Sequence, residues 1–157
     1  MMGIGDGSTA SFMNHEPSPN SCAILGTGVD IIETARIKKS VEEFGDRFLD
    51  RCFWPDEVAY CRGMKFPALH FAARFAAKEA VSKAFGTGIG QQLGWKDMEI
   101  RKRDSGEPYV VLHGKGAELA KRRGVAGVFV SLSHCREYAA AHAVLVGAPA
   151  PSPDPGQ

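Results

Sequence analysis

The chain has 157 residues, 44% hydrophobic and 24% charged, which is the size and composition of one globular domain able to bury its own core. Lys and Arg total 19 against 18 Asp and Glu, a formal net charge of +1, without the basic excess of a domain that grips nucleic acid. No apolar run approaches the roughly 20 residues of a membrane helix, and residues 1–20 lack the basic start and apolar stretch of a secretory signal.

Residues 1–22 mix Gly, Ser, Asn and Pro with little periodicity and read as an extension expected to be disordered. Residues 23–32 (AILGTGVDII) read as a buried strand. Residues 33–48 place Ile37, Val41, Phe44 and Phe48 at helical spacing on one side. Pro55 opens a short helix over 56–62, with Asp56 and Glu57 suited to its positive end. Pro67 opens the clearest helix, 68–85, dominated by alanine and closed by Gly86.

Beyond it the period changes. Residues 95–102 and 108–112 alternate like strands around the turn RDSGE, which predicts a hairpin. Residues 114–123 form a basic-ended helix stopped by Gly124. Residues 127–134 and 138–146 are two more strands at hairpin spacing. Residues 147–157 carry Pro149, Pro151, Pro153 and Pro155, a tail expected to be disordered. The order predicts an α+β fold over residues 23–146, with a largely antiparallel sheet packed on a long central helix. Cys22, Cys52, Cys61 and Cys135 are scattered without a CxxC pair, so they read as reduced thiols and small apolar filler, not as a zinc site.

Few residues stand out as chemistry. Glu79 and Lys83 lie four apart on the 68–85 helix and share a face. The plain reading is a solvated ion pair worth a few tenths of a kcal/mol. Against it stand the apolar character of that helix and the glycine-rich GTGIG loop after it, whose amides can approach a phosphate. Asp30 sits in an apolar run, where a carboxylate costs free energy unless it is paired, bound to a cation, or capping the next helix. Two carboxylates suffice to hold Mg²⁺ that keeps waters and takes phosphate oxygens, and Asp30 with Glu79 fits that role if the fold joins them. His134 ends a strand; Ser133 beside it points to the opposite face, so the two form no nucleophile–base pair. The triplets Arg101-Lys102-Arg103 and Lys121-Arg122-Arg123 read as solvated faces, and Arg36, Lys38, Lys39, Arg47 and Arg51 offer a local site for an acidic partner.

Three stretches together carry a resemblance: GTGVDI (26–31), RFAAKEAVSKAFG (74–86) and VSLSH (130–134). In this order and spacing they resemble the holo-acyl-carrier-protein synthase family of small 4′-phosphopantetheinyl transferases, over about residues 25–146. The resemblance implies the α+β fold of that family. It implies transfer of phosphopantetheine from coenzyme A to a serine of apo-acyl carrier protein, with Mg²⁺ as cofactor and adenosine 3′,5′-bisphosphate as the leaving product. It further implies Asp30 and Glu79 as metal-binding carboxylates, Glu79 also as the base for the carrier serine, directly or through a water, and Lys83 beside the pyrophosphate. Arg74, Gly86 and His134 then line the coenzyme site, and Arg36 with Arg47 docks the carrier. A cytoplasmic homotrimer with sites between subunits is the expected assembly, with neither nucleic acid nor membrane as partner. Thr27 stands where the family commonly has a branched apolar residue, and the spacing from Arg36 to Phe48 is shifted by about one residue, which bears on Arg47. A coenzyme-binding module without chemistry would be expected to lack Asp30, Glu79 or Lys83, and all three are present.

Overall fold

Alternation of apolar residues commits three segments to strands, and two of them follow one another through a tight hairpin. In the computed structural model, which describes residues 22–149, these are β1 (Cys22–Glu33), β4 (Val125–His134) and β5 (Tyr138–Pro149). They form an antiparallel sheet in the order β1–β5–β4, with β5 central. A second antiparallel pair, β2 (Met98–Lys102) and β3 (Pro108–Leu112), forms the expected hairpin. The helices are α1 (Thr34–Phe44), α2 (Asp46–Cys52), α3 (Pro55–Arg62), α4 (Pro67–Ala84) and α5 (Gly114–Arg122). The α+β architecture is as expected.

The helix α4 is the axis of the core. It begins where Pro67 supplies a pre-set φ, and Gly86 follows its end at a φ of 69°. Ala72, Ala73, Ala76, Ala77, Ala80 and Ala84 are all buried where α4 packs on β1 and β5, and Ala139, Ala141 and Ala143 of β5 are buried too. Alanine facing alanine lets helix and sheet approach closely. Larger side chains fill the far side of α4, where Phe53, Phe71, Phe85, Leu93, Met98 and Ile100 are almost wholly buried.

Three boundaries differ from the sequence reading. The stretch 33–48 is not one helix: Glu33 ends β1, and Gly45 at φ 54° separates α1 from α2. Phe44 therefore falls off the apolar stripe and is half exposed. Residues 95–97 form a 3₁₀ turn rather than strand, closed by the Asp97 carboxylate accepting from the Gly94 amide at 2.7 Å. The folded unit is also wider than 23–146. Cys22 pairs with Pro149 across β1 and β5, and Gly147 pairs with Val125; a proline is tolerated there because it closes the strand. The remainder of the predicted extension and tail lies outside the described residues. All four cysteines are free, but only Cys52 and Cys61 are buried filler, with burial pushing their thiols up to about 11 and about 12. Cys22 and Cys135 are exposed.

Candidate active site

Side chains alternate along β1, so Gly28, Asp30 and Ile32 face α4 while Thr27, Val29 and Ile31 face outward. Two glycines set the depth of that contact. A Cβ on Gly26 would lie 2.2 Å from the Ala84 carbonyl oxygen, and one on Gly28 would lie 2.0 Å from the Ala80 carbonyl oxygen. No other residue fits at either place. The helix backbone rests directly on the strand, and this brings Asp30 to the Glu79–Lys83 face of α4.

The result is a charged trio on one chain. Lys83 Nζ donates to Asp30 Oδ1 at 2.8 Å and to the Val29 carbonyl at 3.1 Å. The Asp30 side chain is 15% exposed and that of Lys83 50%, so the pair sits at the mouth of the site. Glu79 is half buried beside them. Burial holds its carboxyl above the ordinary glutamate range, the Asp30 charge pushes it further, and Lys83 opposes both. Asp30 does not cap α1, whose first turn has no side-chain cap. Asp30 and Glu79 supply hard oxygen donors next to one another, and the like-charge strain on Glu79 is what a divalent cation would relieve. The donor set fits Mg²⁺.

Arg74 and His134 lie elsewhere, on a cavity of about 250 Å³ between α3, α4, β2 and the end of β4. Arg74 is five residues before Glu79 and points to a different side of α4. It is only 6% exposed, its guanidinium lies 4.0 Å from the Tyr60 ring centroid, and its Nε has no partner. Asp56, Glu57 and Glu99 line the adjoining pocket that Arg74 shares, with Glu57 held by Lys78 and Glu99 by Arg101, and a buried guanidinium that forms no ion pair itself is open to an anion. Sequence reasoning missed Tyr60, His70 and Lys102 in this lining, having taken Lys102 as plain surface. Only tertiary packing reveals them. Arg101 is instead bound to Glu99 by two hydrogen bonds of 2.8 and 3.0 Å. Gly86 lies beyond α4 with open space around it. Arg36 is exposed on α1, and Arg47 lines a separate groove of about 400 Å³ with Phe44, Phe48 and Arg51.

A second charged pair was not anticipated at all. Lys78 is fully buried and donates to Glu57 Oε2 at 2.7 Å and to the Cys52 carbonyl at 2.7 Å. Glu57 also accepts from the Trp54 and Ile100 amides at 2.8 and 3.1 Å. This network ties α4 to α2, α3 and β2, on the side away from Asp30.

Comparison with known proteins gives one consistent result. Residues 26–143 match the model of the 4′-phosphopantetheinyl transferase superfamily. A holo-[acyl-carrier-protein] synthase of Koribacter versatilis is 46% identical over 122 residues, 78% of this chain and 98% of the relative. That of Ruminiclostridium cellulolyticum is 51% identical over 119 residues, 75% of this chain and 89% of the relative. Among solved structures, the Helicobacter pylori holo-[acyl-carrier-protein] synthase in complex with coenzyme A superposes at TM-score 0.69 and 34% identity, covering 76% of this chain and 98% of that one. The Bacillus anthracis synthase in complex with coenzyme A (3′,5′-ADP) gives TM-score 0.67 and 36% identity over 82% of this chain and 100% of that one.

Proposed function

The chain belongs to the 4′-phosphopantetheinyl transferase superfamily, as an enzyme of its holo-[acyl-carrier-protein] synthase group, and on that premise we propose that it moves phosphopantetheine from coenzyme A to a serine of apo-acyl carrier protein. The observation that carries the reading is the joining of Asp30, Glu79 and Lys83 at the β1–α4 crossing.

Phosphoryl transfer asks a protein for positioning and charge neutralisation more than for covalent help. Asp30 and Glu79 would hold Mg²⁺, which when bound neutralises charge on the pyrophosphate oxygens. Glu79, its carboxyl raised toward neutrality by burial, is suited to accept the proton of the carrier serine. The serine oxygen forms the new bond to the β-phosphorus while the bond to the bridging pyrophosphate oxygen breaks, and adenosine 3′,5′-bisphosphate leaves. Lys83, half exposed at the mouth, neutralises charge as it develops there. The cavity holding Arg74 and His134 takes the phosphate and adenosine end of the coenzyme, while Gly86, outside that lining, leaves room for ligand at the C-terminal end of α4.

Arg36 and Arg47, with Phe44 and Phe48 between basic rims, face the acidic carrier protein. Val29 and Ile31 of β1 and Phe129 of β4 are more than 60% exposed on the outer sheet face. In our reading this apolar face is covered by other copies in a homotrimer with sites between subunits. Such an enzyme works in the cytoplasm, where coenzyme A and its carriers are; among the described residues no helix is long and apolar enough to cross a membrane.

The test is the intact mass of an apo-acyl carrier protein after incubation with this protein, coenzyme A and Mg²⁺, beside an EDTA control. A gain of one phosphopantetheine, abolished by EDTA, supports the reading. No gain on several apo carriers, from a folded protein that binds coenzyme A, overturns it.

A further inference from the structure

We infer that His70 is a phosphate-binding residue of the coenzyme cavity, set against the His134 ring so that the His70 ring carries full charge only when a phosphate monoester is bound. This rests on coenzyme A being the substrate. His70 comes from the second turn of α4 and His134 from the last residue of β4. Their rings meet edge to face with centroids 5.2 Å apart, and His70 meets Tyr60 of α3 in the same way at 5.8 Å. Both histidines line the cavity that Arg74 enters from α4 and Lys102 from β2.

The charges around His70 are all of one sign. Arg74 and Lys102 are cations, His134 is a second imidazole, and Arg101 of β2 is already occupied by Glu99. Tyr60 contributes an aromatic ring, and among the described residues no carboxylate lines the cavity itself; Asp56, Glu57 and Glu99 line the adjoining pocket beyond Tyr60 and Arg74, with Glu57 held by Lys78 and Glu99 by Arg101 and His113. Half-burial, then His134, Arg74 and Lys102, push His70 below the ordinary histidine value of 6.5. Burial and these neighbours therefore disfavour a proton on His70. A phosphate monoester, with a second pKa near 6, arrives mostly as a dianion at neutral pH. It reverses the local field, and the His70 imidazole, on gaining a proton, becomes a charged donor to it. Binding takes up protons, so affinity rises as pH falls through the histidine range.

The experiment is calorimetric titration of adenosine 3′,5′-bisphosphate and of coenzyme A into the wild type, His70→Gln and His134→Gln. It is run from pH 6 to 8.5 in buffers of different ionisation enthalpy, so that bound protons are counted. Dephospho-coenzyme A, which lacks the 3′-phosphate, is the comparison ligand. The inference expects wild-type proton uptake near neutral pH, with a clear part of it missing in His70→Gln. It expects that variant to bind the bisphosphate about tenfold more weakly at pH 6, the loss of one charged hydrogen bond, and nearly as well as wild type at pH 8.5. Dephospho-coenzyme A should be indifferent to the change. Unaltered proton uptake and affinity in His70→Gln overturn the inference and leave the transferase reading standing. A loss equal at every pH and for every ligand shows a packing role and overturns it too. A wild type that binds none of the ligands removes both.

Discussion

Lys83 Nζ lies 2.8 Å from Asp30 Oδ1, although the two residues are 53 positions apart in the chain. The lysine is the local counter-charge for a carboxylate pair that would otherwise repel. Lys83→Ala should therefore do two things. It should lower kcat/KM by about 10²-fold or more, the range seen when one preorganised electrostatic donor is lost. It should also raise the Glu79 carboxyl of the metal-free protein, because Lys83 now lowers it while Asp30 raises it. Kinetics with Mg²⁺ check the first effect, and a carboxyl-carbon NMR titration of Glu79 in EDTA checks the second; an unmoved titration would show that Lys83 does not act on Glu79.

Glu79→Gln should abolish turnover and yet stabilise the metal-free protein. The wild-type carboxyl holds its proton more tightly folded than unfolded, where its value is near 4.5. That contribution is complete below pH 4.5 and is lost as pH rises through the raised folded value. The glutamine variant has no such loss. Urea titrations in EDTA at pH 4 and pH 7 should show the gap in favour of Glu79→Gln opening only at the higher pH.

Gly28→Ala should cost as much as a severe overpacking substitution, roughly 3 kcal/mol or more, since its Cβ would sit 2.0 Å from the Ala80 carbonyl oxygen. Activity should fall with it, because relief requires α4 to lift off β1 and carry Glu79 away from Asp30. Denaturant melts with activity assays on the soluble fraction read both effects. Gly90→Ala, with open space around it, is the control.

Glu57→Leu should cost about 3–5 kcal/mol, because it strands a buried lysine charge whose Nζ now donates to that carboxylate at 2.7 Å. Adding Lys78→Met should recover part of the loss. Recovery stays incomplete, as the Trp54 and Ile100 amides have lost their acceptor. Equilibrium unfolding of the two single variants and the double variant measures the coupling.

Much of this was legible because its causes are local. Pro67 and Gly86 delimit α4 through their own backbone preferences, and both hairpins follow from turn residues between alternating runs. The split at Gly45 was readable in principle, but an apolar stripe that continued to Phe48 outweighed one glycine. The site residues Asp30, Glu79 and Lys83 stood out by residue type, whereas their meeting depends on the pairing of β1 with β5, a contact between the two ends of the domain. Nothing local signals Glu57 and Lys78 as partners, since either reads as a solvated helix charge until the fold buries both. The same holds for His70 and Lys102, which acquire a role only when α4, β2 and β4 converge.

The bare contacts of Gly26 and Gly28 with the carbonyls of Ala84 and Ala80 act as a mechanical stop. Spacing between the two carboxylates is then fixed by main chain against main chain, not by how well side chains fill the interior. The catalytic geometry is in that sense decoupled from core composition. Exchanges among the large residues on the far side of α4, such as Phe53, Leu93 or Met98, can drain thermal stability while each folded molecule keeps the turnover rate of the parent. Sequence drift at those positions is thus free of the carboxylate pair, and the two glycines bear the cost of that freedom in having no tolerated replacement.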